Sequence, residues 1–129
     1  MTIEFESRIL PGYLRVECTG TYSQDAVLHL YEQAFTFAAD AGRDAVLIDA
    51  RNVTGREPTL AERYAGAVHV ADLQSTQTQR IRLAVLGHEP IIHRERFGEI
   101  VATNRGALAR AFTDENAALE WLLAPPKSR

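Results

Sequence analysis

Apolar positions along this chain change their spacing from two to three-and-four and back, and each change marks an element. Leu14, Val16 and Cys18 alternate with Arg15, Glu17 and Thr19, the period of a strand with one buried face. That segment, Tyr13 to Thr19, follows another strand-like run from Thr2 to Ile9. Between them lies Pro11-Gly12, where proline presets φ and glycine accepts the positive φ of a type II turn, so a hairpin-like start is expected. Val27, Leu30, Tyr31, Ala34, Phe35 and Ala38 then recur at helical spacing. With Ser23 as N-cap and Gly42 as terminating glycine, they predict a helix to about Ala41. Ala45 to Ile48 is apolar without alternation, as in a strand covered on both faces.

The second half repeats the alternation of strand and helix. Thr59 and Glu62 have capping-box spacing at the start of a helix running to about Gln74, with Leu60, Tyr64, Val68 and Ala71 as its apolar stripe. Gln74 to Arg80 reads as a polar surface connection, and Ile81 to Leu86 as a buried strand closed by Gly87. A third helix is expected over Arg94 to Asn104, with Phe97, Ile100 and Val101 on one face, and a last strand over Leu108 to Phe112. Thr113 is placed to cap a helix from Asp114 to about Leu123, with Ala118, Trp121 and Leu122 inward. Asp114 and Glu115 suit the positive end of its dipole. The order β-β-α-β-α-β-α-β-α predicts an α/β fold, a central and mostly parallel mixed sheet with packed helices. It is expected as a single domain over 1–124 with a frayed tail over 125–129.

Composition narrows the class of protein. The 129 residues are 46% hydrophobic and 24% charged, which suits a globular domain with its own core. Net charge is −3, lysine occurs once, at Lys127, and the arginines are scattered and usually sit beside acids, as in Arg94-Glu95-Arg96 and Glu62-Arg63. Nucleic acid is therefore not an expected partner, because phosphate binding needs a basic patch. Cys18 is the single cysteine, so no intrachain disulfide and no cysteine-based metal cage can form, and it reads as a small buried hydrophobe. Met1 to Arg8 lacks a basic segment followed by an apolar one, and no apolar run approaches the roughly 20 residues of a membrane span. A cytoplasmic protein without membrane insertion is expected.

Sites of chemistry are scarce. In Gly87-His88-Glu89-Pro90-Ile91-Ile92-His93 the histidines are five apart with a proline between, unlike the helical pair of zinc proteases, and the segment reads as a polar connection. His29 and His69 fall inside helices with no assignable catalytic partner. Nucleophile-elbow and phosphate-binding glycine motifs are absent, so no catalytic residue, metal or cofactor is assigned. What remains is the stretch VLIDARNVTGREPTLAERY. Functional groups gather beyond the carboxyl ends of parallel strands. Asp49, Arg51, Thr54, Arg56 and Thr59 thus form a candidate interaction or anion site, although they equally suit a plain strand, loop and capped helix. Separately, Tyr31, Phe35, Tyr64 and Phe97 are candidates to line a ligand cavity, or simply to fill the core.

The strand VLID leading into RNVTG, and the ending NRGALARAFTDENAALEWL, resemble the STAS and sporulation-type anti-sigma-factor-antagonist-like (SpoIIAA-like) families, and element order agrees over nearly the whole chain. The resemblance implies a non-enzymatic regulatory or protein-interaction module with a partner not identifiable from sequence. Antagonists of this type carry a phosphorylated serine near the start of the helix after this strand. Here no Asp-Ser pair occurs, and only Thr54 or Thr59 can stand in its place. The alternative is a carrier or sensor of an apolar or anionic small molecule, since related folds hold ligands between helices and sheet. Phe37, beside the main stripe of the first helix, also raises the expectation of a homodimer if its ring is exposed.

Overall fold

The computed structural model describes residues 3–77 and 80–125. Its elements are β1 (Ile3–Leu10), β2 (Tyr13–Thr21), α1 (Gln24–Asp40), β3 (Ala45–Thr54), α2 (Leu60–Ser75), β4 (Arg82–Leu86), α3 (Phe97–Asn104), β5 (Ala109–Phe112) and α4 (Glu115–Leu122). The expected tail beyond Pro125 and the start of the first strand at Thr2 lie outside the described residues, as do Thr78 and Gln79 of the polar connection.

The five strands form one sheet in the order β1-β2-β3-β4-β5, with β1 antiparallel to β2 and all later pairs parallel. Gly12, at φ +85°, turns the chain between β1 and β2 as the Pro-Gly pair predicts. Alternation along the strands separates two cores. On one face Leu14, Val16, Ile48 and Leu83 pack against Leu30 and Phe35 of α1, Ala67 and Val70 of α2, and Ala102 of α3. On the other, Tyr13, Leu47, Ala84, Leu86 and Phe112 meet Ala118 and Leu122 of α4. Both sides of β3 and β4 are thus covered, which is why their sequences run apolar without alternation.

Several elements differ from the sequence reading. β3 continues past Ile48 to Thr54 because β2 runs on beside it, pairing Thr19 with Asn52 and Thr21 with Thr54. Ladder hydrogen bonds sustain the strand where side-chain hydrophobicity gives no signal. α3 begins at Phe97 rather than Arg94, since Arg96 adopts φ +54° and supplies no side-chain cap. The cap of α4 is Asp114, whose carboxylate accepts the Ala117 amide, and not Thr113. Around α2 the face is rotated: Leu60 and Tyr64 are 56% and 46% exposed, and Ala67, Val70 and Gln74 are the buried residues. Small side chains at Gly66 and Ala67 let the helix approach its neighbours, and Tyr64 stays outside under the Arg105 guanidinium. Gln74 is no surface residue. Its amide nitrogen donates to the carbonyls of Ile81 and Leu108 and its oxygen accepts the Leu108 amide, so it ties α2 to the starts of β4 and β5. Phe37 is half-buried and tilts against Phe5 of β1, with ring centroids 6.2 Å apart.

Candidate functional site

The carboxyl end of β3 holds the candidate residues in two separate groups. Between Asp49 and Asn52 the strand gains one residue on β2, since Glu17 pairs with Asp49 but Thr19 with Asn52. Such a bulge re-aims side chains. Beside it the Asp49 carboxylate accepts from Arg51 at its amide (3.1 Å), Nε (3.0 Å) and Nη2 (2.8 Å). Arg15 of β2 approaches from the other side. Its Nη2 donates to Asp49 (2.9 Å), its Nε to Glu17 (2.9 Å) and its Nη1 to Glu115 of α4 (3.3 Å). Arg51 closes the set by donating to Glu115 at 2.9 Å. The first turn of α4 is thereby tied to the sheet through alternating charges.

Charge states follow from this arrangement. Burial pushes the Asp49 carboxyl up, but hydrogen bonds from the Arg51 side chain and amide, with the charges of Arg51 and Arg15, leave it below the ordinary carboxylate range. Burial opposes the charge of Arg15 as well, and the hydrogen bonds to Glu17 and Tyr13 with the charges of Glu115 and Asp49 together more than reverse it. Every cation in this group has acidic partners, so it holds α4 in place with no cation left over for an external anion.

The second group surrounds the start of α2. The Thr54 hydroxyl donates to the Gly20 carbonyl at 3.4 Å. Gly55 follows at φ +120°, so close to Thr21 that a Cβ there would meet its methyl carbon at 3.0 Å. The expected capping box is present: Glu62 donates its amide to the Thr59 hydroxyl, and its carboxylate accepts the Thr59 amide. That carboxylate also takes both Arg56 nitrogens at 2.7 Å, while the guanidinium lies over the Tyr22 ring. Arg56, with the Thr59 amide, holds the Glu62 carboxyl down at about 2. The helix N-terminus and Arg56 are therefore already engaged by Glu62. Thr54 and Thr59 are both exposed. Among the described residues no hydrogen bond joins this group to that of Asp49.

A cavity of about 160 Å³ lies between the sheet and helices α1, α2 and α3. Tyr22, Tyr31, Val70, Val85 and Ile92 line it, together with the polar side chains of Glu62, Arg63 and Glu99. Burial pushes the Tyr31 hydroxyl up to about 12. The other aromatics proposed for such a cavity lie elsewhere. Phe35 is 1% exposed within the core, Tyr64 is on the surface, and Phe97 meets the edge of the His93 ring. His69 pairs with Glu32 of α1 at 3.0 Å, and His93 Nδ1 accepts the Glu95 amide. Cys18 is buried, and burial followed by the charge of Asp49 pushes its thiol up to about 12, far from a reactive thiolate.

Sequence reasoning missed Arg15, Glu17, Glu115 and Arg63. Arg15 and Glu17 share a face of β2, as strand alternation implies, but Glu115 joins them only because α4 crosses the sheet, which local periodicity does not encode. Arg63 did leave a signal, since Arg63, Ala67, Val70 and Gln74 fall at helical spacing along the face that is buried.

No protein-family model matches the chain, and no curated protein matches it. Solved structures do. The chain is similar to an anti-sigma factor antagonist from Mycobacterium paratuberculosis, at 15% identity and a TM-score of 0.59, over 94% of each chain. It is also similar to an uncharacterized DUF3478-family protein with a SpoIIAA-like fold from Shewanella loihica PV-4, at 17% identity and a TM-score of 0.50, over 94% of each chain. The domain is STAS/SpoIIAA-like in fold.

Proposed function

We propose that this chain is a non-enzymatic regulatory module that docks a partner protein through residues 55–59 and the first turns of α2. The observation that carries this reading is the exposure of Leu60 and Tyr64 on a rigidly held helix start. The capping box, the Arg56–Glu62 pair and the stacking of Arg56 on Tyr22 fix the backbone there. A backbone already held before binding loses little entropy on docking, which favours the apolar side chains it carries as anchors. Likeness in fold to a protein described as an anti-sigma factor antagonist supports a regulatory role. No helix among the described residues is long and apolar enough to cross a membrane.

The test is site-specific photo-crosslinking in cells, with the reactive residue at position 64 and a control at the exposed Glu120 of α4. A discrete partner is expected at position 64 only. With that partner purified, Leu60→Asp combined with Tyr64→Ser is expected to weaken the complex at least tenfold, about 1.4 kcal/mol or more, without shifting thermal unfolding. An unaltered complex refutes the assignment of this face.

A further inference from the structure

Arg63 borders the cavity under α1, α2 and α3, and its side chain is only 7% exposed. Its Nη1 donates to the Ile91 carbonyl at 2.9 Å and its Nη2 to the Pro90 carbonyl at 2.6 Å. Its Nε is buried with no partner among the described residues. A guanidinium has five N–H donors and a full charge. Two neutral carbonyls compensate neither completely, and an uncompensated buried charge is costly.

The acids nearby do not supply the missing counter-charge. Glu57 stands 3.8 Å from Arg63 but is 67% exposed, where water competes for it. Glu62 lines the cavity, yet its oxygens accept from Arg56 and from the Thr59 amide. Glu99 accepts the Ala111 amide and faces Arg110. Arg96, exposed, also borders the cavity, so the basic side chains at its edge exceed the acids still open to them. The remaining lining is mostly apolar, with Val70, Val85 and Ile92 among it. A volume of about 160 Å³ is close to that of an apolar cavity of roughly 150 Å³ known to take benzene.

We propose that this cavity binds a small apolar monocarboxylate, its carboxylate paired with the Arg63 guanidinium and its body, about the size of a phenyl ring, set among Val70, Val85 and Ile92. The carboxylate supplies both the absent counter-charge and an acceptor within reach of Nε. Its planar oxygens match the fork of the guanidinium. The apolar body displaces water from a space that offers it few hydrogen bonds. This site shares Pro58, Glu62 and Arg63 with the segment proposed for docking, but not the outward side chains of Leu60 and Tyr64.

Isothermal titration of the purified chain with phenylacetate, 2-phenylethanol and acetate tests the proposal. Phenylacetate is expected to bind one molecule per chain, at least tenfold more tightly than the neutral alcohol, with no saturation by acetate. Arg63→Gln is expected to remove that tenfold preference by weakening phenylacetate. Ala67→Leu adds bulk at a lining residue while keeping the guanidinium, and is expected to abolish binding of both ring compounds in a folded chain. The Ala67→Leu result stands even if Arg63→Gln fails to fold. Absence of saturable binding by phenylacetate, benzoate and octanoate up to about 10 mM overturns the proposal. So does equal affinity for acid and alcohol, or wild-type binding by Ala67→Leu.

Discussion

Arg15 and Arg63 are buried alike, with side chains 8% and 7% exposed, on opposite faces of the same sheet. Their surroundings differ in kind. Arg15 meets the carboxylates of Glu17, Asp49 and Glu115. Arg63 meets two peptide carbonyls, one solvent-exposed acid and a cavity. A saturated arginine of the first sort secures packing, here the seat of α4, and removing it takes one of two cationic partners from the buried Asp49 carboxylate. An unsaturated one is maintained against its own desolvation, and stability gives no reason to keep it there. Burial alone does not distinguish a structural charge from a functional one; the tally of partners does.

The largest expected effect breaks the saturated side. Arg15→Ala leaves Asp49 with Arg51 alone and Glu115 with one donor fewer, and is expected to cost about 3 kcal/mol in urea unfolding. Gly55→Ala comes next. It forces a side chain to φ +120° against Thr21 and the Tyr22 amide, for about 2 kcal/mol in the same assay, without touching either arginine.

Acid sharpens the comparison further. The carboxyls of Asp49, Glu17 and Glu62 all lie below their ordinary values in the folded chain, Glu62 at about 2. The unfolded chain therefore binds protons first as pH falls. Stability from these groups is complete above about pH 4.5 and is lost as pH drops toward about 2. The urea midpoint is expected to fall over that window, and Arg51→Ala to make the fall shallower. The smallest effect belongs to the docking face. Leu60→Asp with Tyr64→Ser is expected to change stability by about 0.5 kcal/mol or less in urea unfolding, because both side chains are about half in solvent and neither belongs to the core.

Element order and sheet class were legible because Val46 to Ile48, with Leu83, Ala84 and Leu86, are buried on the two sides of the sheet and say so in their composition. The capping box was legible too, since Thr59 and Glu62 act within one turn. Asp49 and Arg51 could be named because the apolar run ends beside them, although β3 continues to Thr54, but the partners from β2 and α4 could not. Glu115 reaches them from 64 and more residues away, and only the crossing of α4 brings it there. The outward turn of Tyr64 was misjudged for a related reason. Leu60, Tyr64, Val68 and Ala71 form an apolar stripe, but close packing favoured the smaller residues of the neighbouring stripe, and Arg63 was carried inward with them.

The most direct test of the contrast between the two arginines is a pair of urea unfolding curves, for Arg15→Met and Arg63→Met, against wild type. Methionine keeps much of the stem and removes the charge in each case. Arg15→Met is predicted to lose about 3 kcal/mol, and Arg63→Met to lose less than about 1 kcal/mol or to gain stability. Equal, large losses at both positions would contradict the account, because Arg63 would then be as much a structural charge as Arg15.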